Sequence, residues 1–319
     1  MSSSLNSQPQ WLFDPTIHLP SMRVTAECVL LVVVMLCYAT TRAPCSPYGG
    51  AILVLSVGCF LEWRSPSAYY ILSLTGPVFM GAQCYLAAGV PTAGQLACAL
   101  LCTVICIGVP MSVCLHRYFS HQAFKTGRAV QFVLGITACL AWQGGPLWWA
   151  AMHIRHHRHC DKLQDPHSAV HRGSLYAVLG WMADPTNYTA LHTDYSSLPV
   201  RMRTLEMRLL QQLHPIPPLA LCMFICHLYD YVSMVWCCLL PMVATRVITL
   251  LFNLEFHPTH TDKMCKAADD NRVLAMLVGE SRHQDHHARP RKARRPDLDL
   301  PWWLTLAWMQ ALGLIWDCK

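Results

Sequence analysis

Charged residues are scarce in this chain of 319 residues, in which Asp, Glu, Lys and Arg together make up 13%. Acidic residues are the scarcer kind, with 18 against 24 Lys and Arg, so the formal net charge is +6. No nucleic-acid-binding module accompanies that charge, and we expect no nucleic acid partner.

The N-terminal stretch has neither the basic start and apolar core of a signal peptide nor the arginine-rich character of a transit peptide. Targeting is therefore expected to depend on the first membrane span.

The chain contains 17 cysteines but no CxxC pair, the spacing that is typical of redox and zinc sites. Many of the cysteines stand inside apolar runs, where a thiol behaves as a small hydrophobic side chain. We predict that these are packing residues of membrane helices rather than disulfide partners: Cys98, Cys102, Cys106, Cys222, Cys226, Cys237 and Cys238.

Apolar content is the main positive feature, since 54% of the residues are hydrophobic and the mean hydropathy is +0.30. These values predict an all-α, polytopic membrane bundle. A hydrocarbon core about 30 Å thick requires about 20 apolar residues per helix. Four core spans are predicted, over residues 69–90, 94–115, 213–229 and 232–256. An extra N-terminal pair, over 24–41 and 45–61, is the alternative that gives six spans.

Three groups of histidines follow or separate these apolar runs. The first is HRYFSH at 116–121, the second is HIRHH at 153–157, and the third is HQDHH at 283–287. Positions i, i+3 and i+4 share one helix face, so each HxxHH group can direct three imidazoles toward one metal ion. The wider HxxxxH spacing predicts a helix end, with the chain unwinding after Leu115.

The uncharged segment 129–152 is not predicted to cross the membrane, although its hydropathy would allow it. A crossing would place the first and second histidine groups on opposite sides of the bilayer and divide one metal site. The break at Gly144-Gly145-Pro146 also favours an irregular path. The tryptophan-rich tail, 301–316, is expected to lie at the level of the lipid headgroups.

HRYFSH, HIRHH followed by DPHS, and GESRHQDHH resemble the three histidine boxes of the membrane fatty acid desaturases, in particular the acyl-CoA delta-9 branch. The resemblance covers residue 69 to the C-terminus and implies a desaturase domain at 65–319 after an N-terminal region at 1–64. It implies four membrane helices under a cytosolic helical cap that holds two Fe²⁺ ions. By the family's motifs, the metal ligands are His116, His121, His153, His156, His157, His257, His283, His286 and His287, with Asn253 acting through a water.

The resemblance also assigns residues around the metal. Carboxylates and a histidine after the second box, Asp161, Asp165 and His167, are expected to orient ligand histidines. An acyl tunnel is expected to be lined by Gln143, Trp149 and Thr249, and to end near Val104 and Gly108. The chain departs from the family where Leu250 replaces a tryptophan. Val104 and Gly108 replace a larger tyrosine and alanine, which predicts room for a longer acyl chain.

The implied reaction is O₂-dependent desaturation of an acyl-CoA in an endoplasmic reticulum membrane, with the histidine boxes on the cytosolic side. The chain has no HPGG haem motif, so cytochrome b5 or a similar separate donor is expected. Its docking site is predicted on the basic run Arg289, Arg291, Lys292, Arg294 and Arg295. The alternatives are a lipid hydroxylase, a desaturase of glycerolipid or sphingolipid chains, and a non-enzymatic transporter or receptor. A plastid membrane with ferredoxin as the donor is the alternative location.

Overall fold

The computed structural model describes residues 90–182, 184, 186–187, 195–259 and 264–319. The predicted N-terminal spans 24–41 and 45–61, and nearly all of 69–90, lie outside these residues. The described part is helical, with one short strand pair as its β structure. We number the helices in chain order: α1 Ala93–Ser120, α2 Arg128–Cys139, α3 Pro146–His159, α4 Ala169–Arg172, α5 Tyr176–Gly180, α6 Leu205–Gln212, α7 Ile216–Leu228, α8 Tyr231–Glu255, α9 Val273–Leu277, α10 His283–Ala288 and α11 Ala307–Ala311. A π-helical turn, Trp302–Leu306, directly precedes α11.

Two helices, α1 with 28 residues and α8 with 25, are long and apolar enough to cross a membrane. They contain the predicted span at 94–115 and all but the last residue of the predicted span at 232–256. The predicted span at 213–229 corresponds to α7, which reaches that length only together with α6, and the two are bent by 66°. Segment 129–152 is divided into the short apolar helix α2, a break, and the start of α3. Large apolar side chains on α1, such as Leu100 and Leu101, are exposed, as expected for a lipid-facing surface.

Helix α1 corrects one prediction. The chain does not unwind after Leu115 but stays helical to Ser120, with π-helical geometry from Ile107 onward. In a π-helix the hydrogen bond spans five residues, as in the bond from the His121 N–H to the His116 carbonyl. This wider turn brings residues five apart onto the same face, which an α-helix does not. The two histidine rings are consequently 4.9 Å apart, centre to centre.

Helix α3 is fixed by packing against α1 and by a cap from a distant helix. The side chain of Gln211, at the end of α6, accepts hydrogen bonds from the backbone N–H groups of Leu147 and Trp148. These groups lie in the first turn of α3 and have no partner within the helix. The cap positions the start of the helix whose last turns carry the second histidine group.

The C-terminal segment is attached to the end of α1. Strand β1, Lys125–Thr126, pairs antiparallel with β2, Ile315–Trp316. In addition, the buried Arg117 guanidinium donates two hydrogen bonds to the Asp299 carboxylate, at 2.7 and 3.0 Å. A buried ion pair of this kind is costly to break because either partner alone would be an unpaired buried charge. The pair therefore fixes the residues after α10 against the first histidine group.

Candidate metal centre

The predicted histidines come together at one place, although they belong to four separate parts of the chain. The first group ends α1, the second occupies the last turns of α3, and the third occupies α10. His257 lies just after the end of α8. These elements bring together the nine ring systems of His116, His121, His153, His156, His157, His257, His283, His286 and His287.

Five of these histidines form a first set, in which one nitrogen from each ring lies within 4.8 Å of the others: His116, His121, His153, His157 and His286. The Nε2 atom of His286 is 2.8 Å from Nε2 of His116 and 3.1 Å from Nε2 of His157. The Nε2 atom of His153 is 3.0 Å from that of His121. The five nitrogens thus face a common point.

A second set lies beside the first and consists of His156, His257, His283 and His287. Nitrogens of His156, His257 and His287 lie within 4.8 Å of one another. The Nε2 atom of His283 is 3.1 Å from Nε2 of both His257 and His287. The nine histidines therefore form two adjacent nitrogen clusters, an arrangement suited to two metal ions.

Carboxylates behind three of the rings determine which nitrogen faces inward. Nδ1 of His116 donates to Glu280, Nδ1 of His156 to Asp165, and Nδ1 of His257 to Asp161, each at 2.9 Å. A neutral imidazole that donates from Nδ1 has a free lone pair on Nε2. Convergent lone pairs repel one another unless a cation lies between them. The donor set thus fits a metal, and neutral imidazole suits iron, copper or zinc.

Burial favours the neutral form of several site histidines. It lowers the pKa values of His153, His156, His283 and His286 well below the ordinary value, and neighbouring histidines lower them further. The same causes lower the pKa of His287 to about 2. Neutral rings leave their lone pairs available, so the site does not have to lose protons at neutral pH before it binds a metal.

Glu280 is a site residue that the sequence analysis did not assign. Burial alone would raise the pKa of its carboxyl group, but its electrostatic interaction and hydrogen bond with His116 lower that pKa to about 2. Its Oε1 atom also accepts a hydrogen bond from the Ser112 hydroxyl at 2.7 Å. Its position in GESRHQDHH, three residues before His283, was the available signal. The carboxylate is thus ionised and fixed from two sides.

The other residues predicted around the metal are also near it. His167 stacks on His156 with ring centres 4.4 Å apart, and its backbone N–H donates to Asp165. Asn253 lies in α8, one turn before His257, and its side-chain amide donates to the Ala177 carbonyl at 3.2 Å. Asn253 also lines the cavity described next.

A cavity leads to the two nitrogen clusters. One part of its wall is polar and includes His116, His153, His257 and Glu280. The rest is largely apolar, with side chains from α1, α3, α8 and the residue that follows α8 among its lining: Ile107, Met111, Trp149, Met152, Leu250, Phe252 and Phe256. An apolar space that ends at a metal-binding group suits a hydrocarbon chain rather than a polar substrate.

A model of the fatty acid desaturase family matches residues 93–312 of the chain. The chain belongs to this family. The match extends from α1 to the tail and includes all nine histidines of the two clusters. Together with the two membrane-length helices, it indicates a membrane protein.

Relatives within the family act on acyl chains attached to different carriers. The chain is 29% identical over 224 residues to a chloroplastic palmitoyl-monogalactosyldiacylglycerol delta-7 desaturase of Arabidopsis thaliana, covering 67% of this chain and 58% of that protein. It is 29% identical over 237 residues to the sn-1 stearoyl-lipid 9-desaturase of Anabaena variabilis, covering 69% and 82%. An acyl-CoA C20 Delta5-desaturase of Anemone leveillei is 23% identical over 300 residues, covering 87% and 90%.

Some of the residues predicted to form an acyl tunnel line this cavity, and others do not. Gln143, Trp149 and Thr249 line the cavity, as does Leu250 at the position of the family's tryptophan. Val104 and Gly108 do not line it. They lie near it on α1, and a Cβ atom added at Gly108 would be 3.4 Å from the Pro301 side chain. The tunnel end near these two residues stays a prediction.

The basic run after the third box is divided between surface and interior. Arg291 and Arg294 are exposed, and Arg294 stacks over the Trp303 ring. Arg289 and Lys292 each pair with Asp285. Arg295 is buried, with 4% of its surface exposed, and it donates to Nδ1 of His286. Arg295 is therefore not part of the exposed surface of the run, because its guanidinium turns inward toward the histidine clusters. Donor docking on the run stays a prediction.

A disulfide between Cys160 and Cys265 was not predicted. Neither cysteine lies in an apolar run, and 105 residues separate them, so no local pattern indicated the pair. The Cys160 sulfur is 3.9 Å from Nδ1 of His257, and the Cys265 sulfur is 3.5 Å from Nδ1 of His287. The adjacent Lys266 N–H donates to Asp161. The disulfide thus connects the end of α3 to a loop that supports the second cluster.

Proposed function

We propose that this chain is a membrane desaturase that uses two iron ions and O₂ to introduce a cis double bond into a fatty acyl chain. The main supporting observation is the convergence of nine imidazoles, in clusters of five and four, at the polar part of a largely apolar cavity. The five histidines of one cluster and the four of the other would each hold one iron ion.

Bound iron would activate O₂, the oxidant that would take two hydrogens from an unactivated –CH₂–CH₂– pair and, with two electrons from the separate donor and two protons, leave as two waters; no side-chain acid or base can provide this chemistry. The chain's own residues perform the remaining tasks. Histidines hold the metals, and Glu280, Asp165 and Asp161 keep the rings oriented. Trp149 and Leu250, among the cavity's apolar side chains, would exclude water and hold one carbon pair beside the metals.

For the substrate we propose an acyl-CoA, with the double bond at the delta-9 position. Asn253 with His257, and the DPH motif at 165–167, support this branch of the family. We further propose an endoplasmic reticulum location with the boxes on the cytosolic side, and electron transfer from cytochrome b5 or a similar separate carrier. The exposed cations Arg291 and Arg294 are suited to an acidic donor.

A second candidate is desaturation of acyl chains in membrane glycerolipids. It is favoured by the Arabidopsis thaliana and Anabaena variabilis relatives, whose names specify lipid-bound substrates. The histidine arrangement is compatible with both carriers, and with hydroxylation in place of desaturation, because all three need the same hydrogen removal.

The proposal is tested by expressing the chain in a host that lacks its own desaturase and analysing the acyl chains by mass spectrometry. We expect new monounsaturated chains, with the double bond starting at carbon 9 counted from the carboxyl carbon, and none with His286→Ala. A brief label would appear first in acyl-CoA if that is the substrate, and first in glycerolipids if the second candidate is correct. Hydroxylated chains alone, or no change, would contradict the proposal.

A further inference from the structure

The Cys160–Cys265 disulfide lies directly behind the second cluster. The Cys160 sulfur is 3.9 Å from Nδ1 of His257, and the Cys265 sulfur is 3.5 Å from Nδ1 of His287. The Nε2 atoms of both rings face His283 instead. The disulfide therefore contacts two rings of the cluster from the side opposite their converging nitrogens.

The disulfide also fixes the backbone next to Cys265. The Lys266 N–H donates to Oδ2 of Asp161 at 2.7 Å, and the same oxygen accepts the hydrogen bond from Nδ1 of His257 at 2.9 Å. Asp161 directly follows Cys160, so both ends of the disulfide lie beside the carboxylate that orients His257. Opening the bond would let Lys266 move away and leave this carboxylate with one donor fewer.

Opening the bond would act locally, because the segment after Lys266 has its own attachment. The Ala268 N–H donates to the carbonyl of Phe256, the residue that follows α8, at 2.9 Å. This backbone hydrogen bond does not depend on the sulfurs. We therefore expect reduction to loosen Cys265 and Lys266 while the segment stays attached at Ala268.

The two sulfurs differ in how open they are to a reagent. Cys160 is buried, with 6% of its surface exposed, whereas Cys265 is partly exposed. A thiolate from outside can therefore reach the Cys265 sulfur, with Cys160 as the leaving group. The proposed location places this face on the cytosolic side of the membrane. Disulfides are rare in that compartment, and those present are usually transient and catalytic or redox-sensing.

We propose that Cys160 and Cys265 form a redox-controlled site on which a dithiol acts, and that its reduction loosens the metal position supported by His257 and His287. The inference rests on the proposed function, which supplies the iron and the cytosolic placement. Because the disulfide supports only the second cluster, its reduction weakens one metal position and spares the other.

The exchange is balanced in electrons and protons. One thiolate of the dithiol attacks the Cys265 sulfur, forms a mixed disulfide and releases Cys160 as a thiolate. The second thiolate of the dithiol then attacks the dithiol's own sulfur in the mixed disulfide and releases Cys265. Two electrons and two protons pass to the cysteine pair, and the dithiol becomes a disulfide. A small disulfide, such as oxidised glutathione, reverses the exchange.

The test treats the wild-type full-length chain with reduced thioredoxin, a protein dithiol. The chain is purified in lipid nanodiscs without reductant, and mass spectrometry after alkylation reports the state of both cysteines. Iron retained against a chelator is measured with Mössbauer spectra that distinguish the two positions. Hydrogen exchange of the peptide that contains Lys266, in the iron-free chain, gives a readout that needs no metal.

Two controls accompany this treatment. Cys318→Ala removes a partly exposed free cysteine outside the helices and strands, and it should respond to thioredoxin as the wild type does. Thioredoxin with both active cysteines changed to serine should have no effect. Cys160→Ala with Cys265→Ala should behave like the reduced wild type, with or without thioredoxin.

We expect thioredoxin to open both cysteines to alkylation and to raise the exchange of the Lys266 amide. Iron retention at the position supported by His257 and His287 should weaken about tenfold, as when a group behind a metal ligand is lost. Oxidised glutathione should restore all three properties.

Several results would overturn the inference. The pair could stay linked in excess thioredoxin, or become reduced with unchanged exchange at Lys266. Equal loss of iron from both clusters would also contradict it. A general rise in hydrogen exchange on reduction would show that the bond serves the stability of the whole fold. These measurements use the wild-type chain, so they do not depend on the folding of the double variant.

Failure of the proposed function gives a different result. If the chain makes no double bond, but thioredoxin frees the Lys266 amide and weakens one metal position, the desaturase proposal fails and the redox-controlled site stands. If double bonds form and thioredoxin changes neither property, the site fails and the desaturase proposal stands.

Discussion

Glu280 holds His116 from behind, with its Oε1 atom accepting a hydrogen bond from Nδ1 across 2.9 Å. The pair connects a residue just before α10 to the end of α1, 164 residues earlier. Because a carboxylate in this position makes the ring a stronger ligand and fixes its orientation, we expect Glu280→Gln to weaken iron binding about 10- to 100-fold.

The measurement is iron retained per chain during titration with a chelator. Glu206→Gln is the matched control, since Glu206 pairs with Arg128 at the surface, away from the histidines. Equal iron affinity in Glu280→Gln and the wild type would show that the carboxylate does not support the ligand.

The Cys160–Cys265 disulfide should stabilise both the fold and the second cluster. Closing a loop of about 100 residues stabilises a folded chain by roughly 4 to 5 kcal/mol in the chain-entropy model. We therefore expect Cys160→Ala with Cys265→Ala to lower the thermal midpoint and to speed iron loss from the cluster that contains His257 and His287.

Mass spectrometry without reductant should find this cysteine pair linked in the purified protein. Cys226→Ala, which removes a partly exposed free cysteine from α7, is the control and should change neither property. A fully reduced pair in a protein with normal iron content would contradict this role for the disulfide.

The acyl chain length should respond to Val104→Tyr. Val104 lies almost one turn before Ile107, which lines the cavity. A tyrosine there should shorten the space and lower the use of the longest chain relative to a shorter one by about tenfold or more. Competition between labelled chains of different length measures this ratio. Leu100→Tyr, on the exposed side of α1, should leave it unchanged, and an unaltered preference in Val104→Tyr would place the end of the tunnel elsewhere.

Electron delivery should depend on the exposed cations of the basic run. With Arg291→Glu and Arg294→Glu together, we expect slower reduction by cytochrome b5 at low salt, by about tenfold, and a weaker dependence on ionic strength. Iron content should be unaffected. Arg208→Glu is the control for a change of charge elsewhere on the surface. Reduction at the wild-type rate would place the docking surface outside this run.

The iron-free protein should lose stability as the pH falls below about 6.5, the ordinary pKa of histidine. The site histidines have lowered pKa values in the folded state, so below that pH the unfolded chain binds more protons. The free energy of unfolding then falls by about 1.4 kcal/mol per pH unit for each such group. Thermal midpoints of the apo protein between pH 7.5 and 5.5 should show this slope, and a flat profile would contradict the assigned burial.

The sequence predicted the converging histidines better than their surroundings. HxxHH spacing on α3 and α10 follows from helix geometry, so the inward rings could be anticipated from local pattern alone. The partners behind the rings depend on contacts between distant segments, as with Glu280 and His116 or Cys160 and Cys265. The direction of Arg295 likewise depends on the Arg117–Asp299 pair, which no local pattern indicates. The π-helical geometry of α1 was missed because spacing was interpreted for α-helices only.

Metal analysis of the purified full-length chain tests the central claim most directly. Two nitrogen clusters, of five and four histidines, predict two iron ions per chain, with Mössbauer signals for two distinct sites. His286→Ala should disturb the five-nitrogen site first, and His257→Ala the other. A chain that contains zinc, a single metal ion or none would contradict the account.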